Sequence, residues 1–591
     1  MHVHRSNRAE ALVEILAEVV DRPLADPTAA ECIVVQGRGM ERWVAMELAR
    51  RLGVWANPDF PFPRRLILRT LGDLLGVDAS APSPFEPQVM MWSVAGLLGR
   101  LLEHPEFVSI RTYLAGDDRG IRRVQLAERI ARTFDQYVIY RPEIIRAWER
   151  GADTHWQARL WRALVERHGA VHTAAYAQTF LDRLSRPAPP LVKTPQRIAI
   201  FGVSTLAPLY LKMLAALAHH VELHLFLLSP SAEYWADIRS RRQVLRTLAR
   251  QRAAPDAVEE ALHLGEGNPL LASLGRIGRD FQLVLEANVD YRESERDLYA
   301  DPGTATMLAT VQSDMLALRH RRSGNSAAPP LPLDPGDASI TFHACHAPMR
   351  EVEVVHDQLL ALFEQDHSLE PRDVVVMSPN IDTYAPFIDA VFGGAAEQLP
   401  RIPYRIADRA VRATDDVVDA FLMLLETVRG RMPASAVLDL LGLAPVGERF
   451  GLVPDDLDVV RHWIQESGIR WGVDAAHREQ TGQPRLAHNT WRFGLDRLLL
   501  GYAMPGENRR LYGGVLPYDD VEGTTAEVLG RFVEFCEALF AFQQSLQAAR
   551  TLDAWRDDLG RLLDTMVAST NQTAYQHRHI PPDDFPATDP Q

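Results

Sequence analysis

The first candidate for chemistry is a glycine-rich turn that follows a short β-branched run. Ile33-Val34-Val35 predicts a buried strand, Gln36-Gly37-Arg38-Gly39 a tight turn, and the residues from about Met40 to Leu52 a helix. Strand, glycine turn and helix in this order form the arrangement that cradles phosphate groups at a helix amino terminus. The turn is therefore the place where contact with a phosphate is first expected.

A working phosphate-binding loop needs more than this turn contains. Its consensus is GxxxxGK[ST], in which the lysine contacts the terminal phosphates and the hydroxyl holds magnesium. Here the turn continues into Met40, Glu41 and Arg42 without Gly-Lys-Ser/Thr, and the carboxylate of Glu41 would repel a phosphate. Arg38 and Arg42 could still attract ATP or DNA. A polar turn that caps the next helix remains the alternative explanation.

A second predicted strand lacks the other half of a nucleotide site. A hydrolase of this class carries an acidic residue at the end of a buried strand, where it holds magnesium and positions water. The segment from Ile198 to Thr205 has the apolar run of such a strand but no carboxylate at its end. Since both halves are missing, the sequence predicts that this chain does not hydrolyse ATP.

An aromatic cluster and a basic run are the next candidates. Phe134, Tyr137 and Tyr140 surround Asp135 and precede Arg141. Aromatic rings beside arginine suit base stacking and phosphate contact, but these rings also have helical spacing. We interpret the rings as core residues and Arg141 as a candidate DNA contact.

The densest basic run lies further along the chain, at Arg239, Arg241, Arg242, Arg246, Arg250 and Arg252. On a helix, four of these arginines would share one face. A solvated face is the ordinary meaning of such a run. A helix that follows DNA phosphates, with Arg242 and Arg246 in contact, is the alternative.

Composition excludes several classes of protein. The net charge of −15 argues against a general polyanion binder, so any DNA contact must use local basic surfaces or surfaces of partners. The three cysteines are far apart and form no CxxC pair, and the histidines have no matching ligand set, so neither a disulfide framework nor a metal site is predicted. No signal peptide and no membrane-spanning run are expected, which favours the cytoplasm.

The elements that position these residues follow an α/β order. After the first strand and helix, residues 83–191 read as mostly helical, and residues 197–202, 207–218 and 221–228 then predict strand, helix and strand. A strand–helix–strand order implies a parallel sheet with a crossover helix. The simplest architecture is one α/β domain that is interrupted by a helical insertion.

A second α/β unit is predicted after a Pro- and Ser-rich linker. Residues 340–343 read as a strand, 349–364 as a helix and 373–377 as another strand, and residues 414–591 read as largely helical.

Together these segments resemble the RecC family, which has a superfamily 1 helicase fold without a working ATPase site. The resemblance extends over almost the whole chain, through short motifs that occur in the order of the family. They are Ser6-Asn7-Arg8, Val35-Gln36 with Gly39-Met40 and Trp43, Ala56 to Pro61, Phe134-Asp135-Gln136-Tyr137 with Tyr140-Arg141-Pro142, Gly267 to Ala272 with Gly278-Arg279-Asp280, Ile340 to His343 with Arg350 to Val354, Glu466 to Gly472, and Thr490 to Gly494 with Gly501-Tyr502-Ala503.

The resemblance implies two helicase-like (RecA-like) parallel-sheet domains with large helical insertions. The implied domains are 1A in residues 1–82 and 192–322, the helical insertion 1B in 83–191, a linker in 323–337, the first part of 2A in 338–413, and a mainly helical 2B-like region in 414–591. Family members are considerably longer. The sequence is therefore expected to represent an amino-terminal half, with the carboxy-terminal nuclease-like domain absent.

The resemblance also implies a function, which is the non-catalytic DNA-binding subunit of the RecBCD helicase and nuclease (exodeoxyribonuclease V). Such a subunit splits double-stranded DNA ends, guides the 3′ strand as single-stranded DNA and senses Chi during double-strand break repair, while the partners RecB and RecD use ATP and magnesium. The resemblance implies that Gln36, Asp135 and Arg141 contact DNA. Arg38 and Arg42 depart from the family pattern, which has small or amide side chains there, and they are candidate DNA-binding residues because of their charge, as are Arg242 and Arg246. No cofactor is expected in this chain. An active superfamily 1 helicase or nuclease and a non-DNA interaction scaffold are the alternatives.

Overall fold

The structure is a computed structural model. It describes residues 1–76, 83–117, 120–186, 191, 193–238, 267–294, 296–321, 330–332, 334–394, 401–407, 409, 412, 415–504, 510–518, 520–521, 523 and 525–569. The described chain divides into two compact units, of which the first ends at Phe342 and the second begins at His343.

The first unit contains a six-stranded sheet in which all neighbouring strands are parallel. The strand order is β3-β2-β4-β5-β1-β6. The strands are β1 (His2–Ser6), β2 (Glu31–Val34), β3 (Pro58–Asp59), β4 (Arg197–Phe201), β5 (Glu222–Leu228) and β6 (Arg292–Glu293). The predicted α/β class with a parallel sheet is confirmed.

A helix follows every strand of this unit, and a helix also precedes every strand after β1. In chain order they are α1 (Ala9–Val20), α2 (Arg38–Leu52), α3 (Pro63–Leu75), α4 (Pro87–Leu101), α5 (Val108–Leu114), α6 (Ile121–Tyr140), α7 (Pro142–Glu149), α8 (Trp156–His168), α9 (Thr173–Leu184), α10 (Pro208–Leu217), α11 (Pro269–Leu274), α12 (Arg276–Asn288) and α13 (Met307–Leu316). The helices predicted near residues 8–20, 40–52 and 207–218 are thus confirmed.

The sheet is covered on both faces because side chains alternate along each strand. Ile33 and Phe201 point to one face, where they pack with Leu16 of α1 and Val44 of α2. The opposite face carries its own core, which includes Val34, Ile198, Leu225, Phe180 of α9, Leu214 of α10 and Leu285 of α12. Burial on both faces explains why β4 reads as a continuous apolar run.

The segment between β3 and β4 has a separate helical core. Helices α4 to α8 pack around fully buried rings, with Phe134 of α6 and Trp161 of α8 at 5.4 Å between centroids and nearly perpendicular. This insertion positions α6, whose carboxyl end carries Asp135 and Arg141.

The first strand was not predicted from the sequence. His2-Val3-His4-Arg5-Ser6 is short and mostly polar, so it lacks the β-branched run that identifies a buried strand. Yet β1 lies between β5 and β6, and His4 and Ser6 are buried within it. Pairing on both sides satisfies the polar backbone, and His4 Nε2 lies 3.1 Å from His224 Nδ1 on the neighbouring strand.

The second unit is largely helical. Its helices are α14 (Pro348–Gln365), α15 (Ile381–Ile388), α16 (Asp416–Arg429), α17 (Ala434–Leu441), α18 (Ala444–Phe450), α19 (Pro454–Ser467), α20 (Ala475–Gln480), α21 (Trp491–Ala503), α22 (Thr525–Ser545) and α23 (Leu552–Met566). Helices α16 to α19 and α21 to α23 contribute to a large apolar core that contains Trp463, Trp491 and Phe535.

The two strands predicted at residues 340–343 and 373–377 are wrong for this structure, although the helix between them, α14, is confirmed. Both segments are described, and neither forms a β-ladder with another described residue. Val375 is 78 % exposed and Met377 is 89 % exposed. Apolar composition predicted a strand, but a strand forms only where a neighbouring backbone accepts its hydrogen bonds.

No helix within the described part of the chain is both long enough and apolar enough to cross a membrane.

The buried histidine pair gives the sheet a predicted sensitivity to acid. Burial lowers the pKa of His4 to about 4, whereas an unfolded chain would protonate this imidazole near its ordinary value of about 6.5. The unfolded state therefore binds the proton first, and stability that is present above pH 6.5 is lost as the pH falls towards 4. We expect urea unfolding at pH 4.5 to show a loss of about 2–3 kcal/mol from this group.

A matched variant separates this group from the other acid-sensitive residues. His4→Leu should lose less stability than the natural chain between pH 7 and pH 4.5, because leucine has no proton to bind. Equal losses in the two proteins would show that His4 does not titrate as the structure implies.

Candidate nucleic-acid interface

The strand order identifies the place where a parallel sheet of this kind binds ligands. The chain moves from β1 through β2 to β3 at one edge of the sheet, and then returns through β4 and β5 to β6. Ligands bind beyond the carboxyl ends of the strands, and the first strand-to-helix turn of such a fold is the usual place for a phosphate. Here that turn follows β1, which lies between β5 and β6.

In this structure, residues 298–300 occupy the space beyond the carboxyl end of β1. Only Asn7 and Arg8 separate β1 from α1. The Ser6 hydroxyl donates to the Leu298 carbonyl at 2.7 Å, and the Asn7 amide donates to the Ala300 carbonyl at 2.8 Å and accepts from the Ala300 N–H at 3.1 Å. A loop this short cannot wrap a phosphate as a glycine-rich loop does.

This arrangement corrects the interpretation of the turn after β2. The predicted strand, turn and helix are present, with Gly37 preceding α2, but β4 and β5 separate β2 from β1. The turn after β2 is therefore not the first strand-to-helix turn of the sheet, which follows β1. Sequence reasoning placed the vestigial phosphate site here because β1 had not been recognised as a strand.

Gln36 joins the loops that follow β2 and β4. Its side-chain amide donates to the Thr205 carbonyl at 2.9 Å, and its amide oxygen lies 3.4 Å from both the backbone nitrogen and the hydroxyl of Ser204. These loops end at the same edge of the sheet because the two strands are parallel neighbours. Gln36 is also exposed to solvent. Its side chain therefore links the two loops and remains accessible to a ligand.

Arg38 and Arg42 lie in the first turns of α2, four residues apart and therefore on one face. Both side chains are exposed, and neither forms an ion pair with any described residue. The intervening Glu41 is only partly exposed. Two unpaired guanidinium groups at a helix amino terminus form a local cationic surface, which suits a phosphate even though the whole chain is acidic.

Asp135 is held at the same edge by an arginine that sequence reasoning missed. The Val35 N–H donates to the Pro61 carbonyl at 3.4 Å, so the ends of β2 and β3 lie side by side. Arg64 follows at the start of α3, and its Nη1 lies 3.1 and 3.2 Å from the two carboxylate oxygens of Asp135. Burial raises the pKa of Asp135, and the Arg64 guanidinium opposes that shift.

Tyr210 is close enough to Arg64, Asp135 and Tyr140 to feel their charges. It lies on α10, and burial raises its pKa to about 12, with electrostatic effects from Arg64, Asp135 and Tyr140. Helix α10 begins just beyond the carboxyl end of β4 and packs against α6, so α6 lies beside the carboxyl edge of the sheet. The edge carries cationic, acidic and aromatic side chains contributed by elements far apart in sequence.

Two of the three rings in the aromatic cluster pack in the core as predicted, and the third does not. Phe134 is fully buried, and Tyr137 packs partly buried against the same core, as expected. Tyr140 is 53 % exposed, so its assignment to the core was wrong. The helix ends at this residue, and a ring at a helix end can leave the face that the preceding residues bury.

Arg141 caps the junction between α6 and α7. Its backbone N–H donates to the Tyr137 carbonyl at 2.9 Å. Its side chain is exposed and has no ion-pair partner among the residues that the structure describes. Arg242 and Arg246, together with the rest of their basic run, lie outside the described residues.

One signal in the sequence could have identified Arg64. Phe60-Pro61-Phe62-Pro63-Arg64-Arg65 places two arginines directly after a proline at the first helical position. Proline at that position marks a helix start, and arginines in the next turn face whatever lies beyond the strand ends.

Nothing in the described ranges groups three or more histidine, cysteine or acidic residues in a way that could hold a metal ion.

Comparison with known proteins matches both units. The family model for "RecC, N-terminal domain" matches residues 1–318, and the model for "RecBCD enzyme subunit RecC fourth domain" matches residues 414–581. These matches extend across the sheet, the helical insertion and the large helical core of the second unit.

Individual relatives agree. The RecBCD enzyme subunit RecC of Escherichia coli (strain K12) is 38 % identical, with 94 % of this chain and 52 % of the relative covered. The subunit of the same name from Mycolicibacterium smegmatis is 36 % identical over 96 % of this chain and 52 % of the relative. That of Haemophilus influenzae is 34 % identical over 97 % and 54 %. The chain thus spans about half the length of these curated relatives.

Proposed function

The chain belongs to the RecC family, and from that premise we propose that it is a non-catalytic, DNA-handling part of a RecBCD-type enzyme. In this proposal it contacts double-stranded DNA ends and single-stranded DNA in the bacterial cytoplasm. The partner subunits RecB and RecD use ATP and magnesium to drive movement and cleavage. The names of the relatives, each a RecBCD enzyme subunit, support the assignment of these partners.

The main support for a non-catalytic role is that residues 298–300 fill the space beyond the carboxyl end of β1. Ser6 and Asn7 hold residues 298–300 where a nucleotide phosphate would otherwise lie. The ends of β4 and β5 support the same conclusion, because residues 202–205 and 229–231 contain no carboxylate that could hold magnesium. The residues present do not fit ATP, so no step of hydrolysis is assigned to this chain.

The observation that carries DNA contact is the composition of the sheet edge. Arg38, Arg42 and Arg141 are exposed and have no carboxylate partner among the described residues, which suits a phosphate backbone. Gln36 presents an amide that both donates and accepts hydrogen bonds, as the reading of a base edge requires. The proposal includes recognition of Chi in the 3′ strand by residues of this edge, among them Asp135, which Arg64 positions.

The test measures ATP turnover and DNA binding on the same preparation of the whole chain. We expect no DNA-stimulated ATP hydrolysis above the level without protein, because the groups that hold phosphate and magnesium are absent. We also expect salt-dependent binding of single-stranded DNA. Replacing Arg38 with threonine and Arg42 with glutamine should flatten the plot of log K against log salt by about 0.7 per lost phosphate contact.

Two results would contradict the proposal. DNA-stimulated turnover that purifies with the chain and disappears in the Arg42 variant would show an active motor. Binding that is undetectable at low salt would favour a scaffold without DNA contact.

A further inference from the structure

The longest helix of the insertion, α6, exposes a single stripe of side chains. After its first turn, the exposed residues are Gln125, Arg129, Arg132, Gln136 and Tyr140. Their spacings of three and four residues place them along one face of the helix. At 1.5 Å per residue, the stripe is roughly 22 Å long. It ends beside Arg141 and the sheet edge described above.

None of the exposed residues on this stripe is acidic, although the chain carries a net charge of −15. The two carboxylates of α6 that lie after its first turn are already engaged, Glu128 with Arg132 at 2.7 Å and Asp135 with Arg64 at 3.1 Å. Arg129 has no ion-pair partner among the described residues. Among the described residues, Arg129 is thus the unpaired cation of a face whose remaining exposed residues, apart from the paired Arg132, are uncharged, and this composition suits an anionic ligand.

The side chains also match the other features of a nucleic-acid strand. Arginine binds phosphate, the glutamine amides can pair with base edges, and an exposed tyrosine ring can stack on a base. Stacking needs a base that is not enclosed in a duplex, so the exposed ring of Tyr140 favours single-stranded DNA over double-stranded DNA.

We propose that the α6 stripe, Gln125 to Tyr140, is a track for single-stranded DNA, along which arginines hold phosphates and Tyr140 stacks a base before the strand reaches the sheet edge. The inference rests on the proposed function, because it assigns a path to the strand that the edge contacts. It adds residues that lie beyond the edge itself.

The first experiment measures binding of a fluorescent oligothymidine strand by anisotropy at several salt concentrations. The variant Arg129→Gln with Arg132→Gln should bind roughly ten-fold more weakly, and its salt slope should fall by about 1.4, which is 0.7 for each of two phosphate contacts. The control is Arg150→Gln with Arg186→Gln, which removes the same charge from exposed positions outside α6. The control should bind nearly as the natural chain does.

The second experiment tests the ring. Tyr140→Ala should weaken binding of oligothymidine by about 5- to 100-fold, the range expected for the loss of one stacked base. Tyr140→Phe keeps the ring and should retain the affinity. An abasic strand of the same length should bind equally to Tyr140→Ala and to the natural chain, which separates stacking from a general loss of fold.

The outcomes separate this inference from the proposed function. If the natural chain binds no single-stranded DNA, both fail. If it binds, but the arginine variant of α6 and the arginine control lose the same small amount, the strand follows another path and the α6 track alone is overturned. Equal binding of Tyr140→Ala and the natural chain to oligothymidine would likewise overturn the stacking role. Circular dichroism of each variant verifies the fold.

Discussion

Replacing Arg197 with alanine is expected to lower the free energy of unfolding by about 3–5 kcal/mol, because it leaves a carboxylate unpaired at the base of the sheet. The Arg197 side chain is only 4 % exposed and the Glu31 side chain 14 %. These residues begin the neighbouring strands β4 and β2. The guanidinium forms a two-pronged ion pair with Glu31, in which Nε lies 3.2 Å from Oε2 and Nη2 binds Oε1, and Nη2 also donates to the Arg22 carbonyl at 2.9 Å.

A double variant shows whether the lost free energy of unfolding comes from the unpaired carboxylate of Glu31. Arg197→Met with Glu31→Leu removes both partners, so no buried carboxylate remains, and it should cost clearly less than Arg197→Ala alone. Urea unfolding of the three proteins measures the difference. A cost below about 1 kcal/mol for Arg197→Ala would place this ion pair in the class of exposed surface pairs.

Replacing Phe134 with alanine is expected to cost about 3–5 kcal/mol, since it empties the centre of the helical insertion. The ring is fully buried. It lies edge-on to Trp161 at 5.4 Å and to Trp148 at 6.2 Å between centroids. The neighbouring residue, Asp135, is the one that Arg64 holds at the sheet edge. Loss of this ring should therefore also loosen the contact between the insertion and the edge.

Phe134→Leu is the matched control, because it keeps most of the apolar volume and should cost less than about 1.5 kcal/mol. Tryptophan fluorescence reports directly on this core, since Trp148 and Trp161 line it. If the alanine and leucine variants unfold at the same urea concentration, the insertion tolerates a cavity here and Phe134 does not anchor α6.

Patterns that depend on a few neighbouring residues were read correctly from the sequence. The apolar runs of β2, β4 and β5 are buried on both faces, so their composition alone marks them as strands. The periodicity of α1 and α14 likewise predicted helices. The missing Gly-Lys-Ser/Thr and the missing strand-end carboxylate were visible for the same reason, because each is a short pattern next to one strand.

Structural features that depend on residues far apart in the chain could not be predicted from the sequence. β1 is short and polar, and it becomes a central strand only because β5 and β6 pair with it on both sides. The reverse holds at residues 373–377, where an apolar run has no paired neighbour among the described residues and stays exposed. Propensity describes how a residue suits a strand, whereas the partner backbone decides whether the strand exists.

The sequence by itself therefore determined the family, the α/β class and the absence of a phosphate-binding motif, because these reside in local order and composition. Only the tertiary structure decided that residues 2–6 form a strand between β5 and β6, that Arg64 binds Asp135 across the chain, and that Tyr140 faces solvent. Each of these depends on hydrogen bonds or burial between residues that are far apart in sequence, and such contacts leave no local pattern to read.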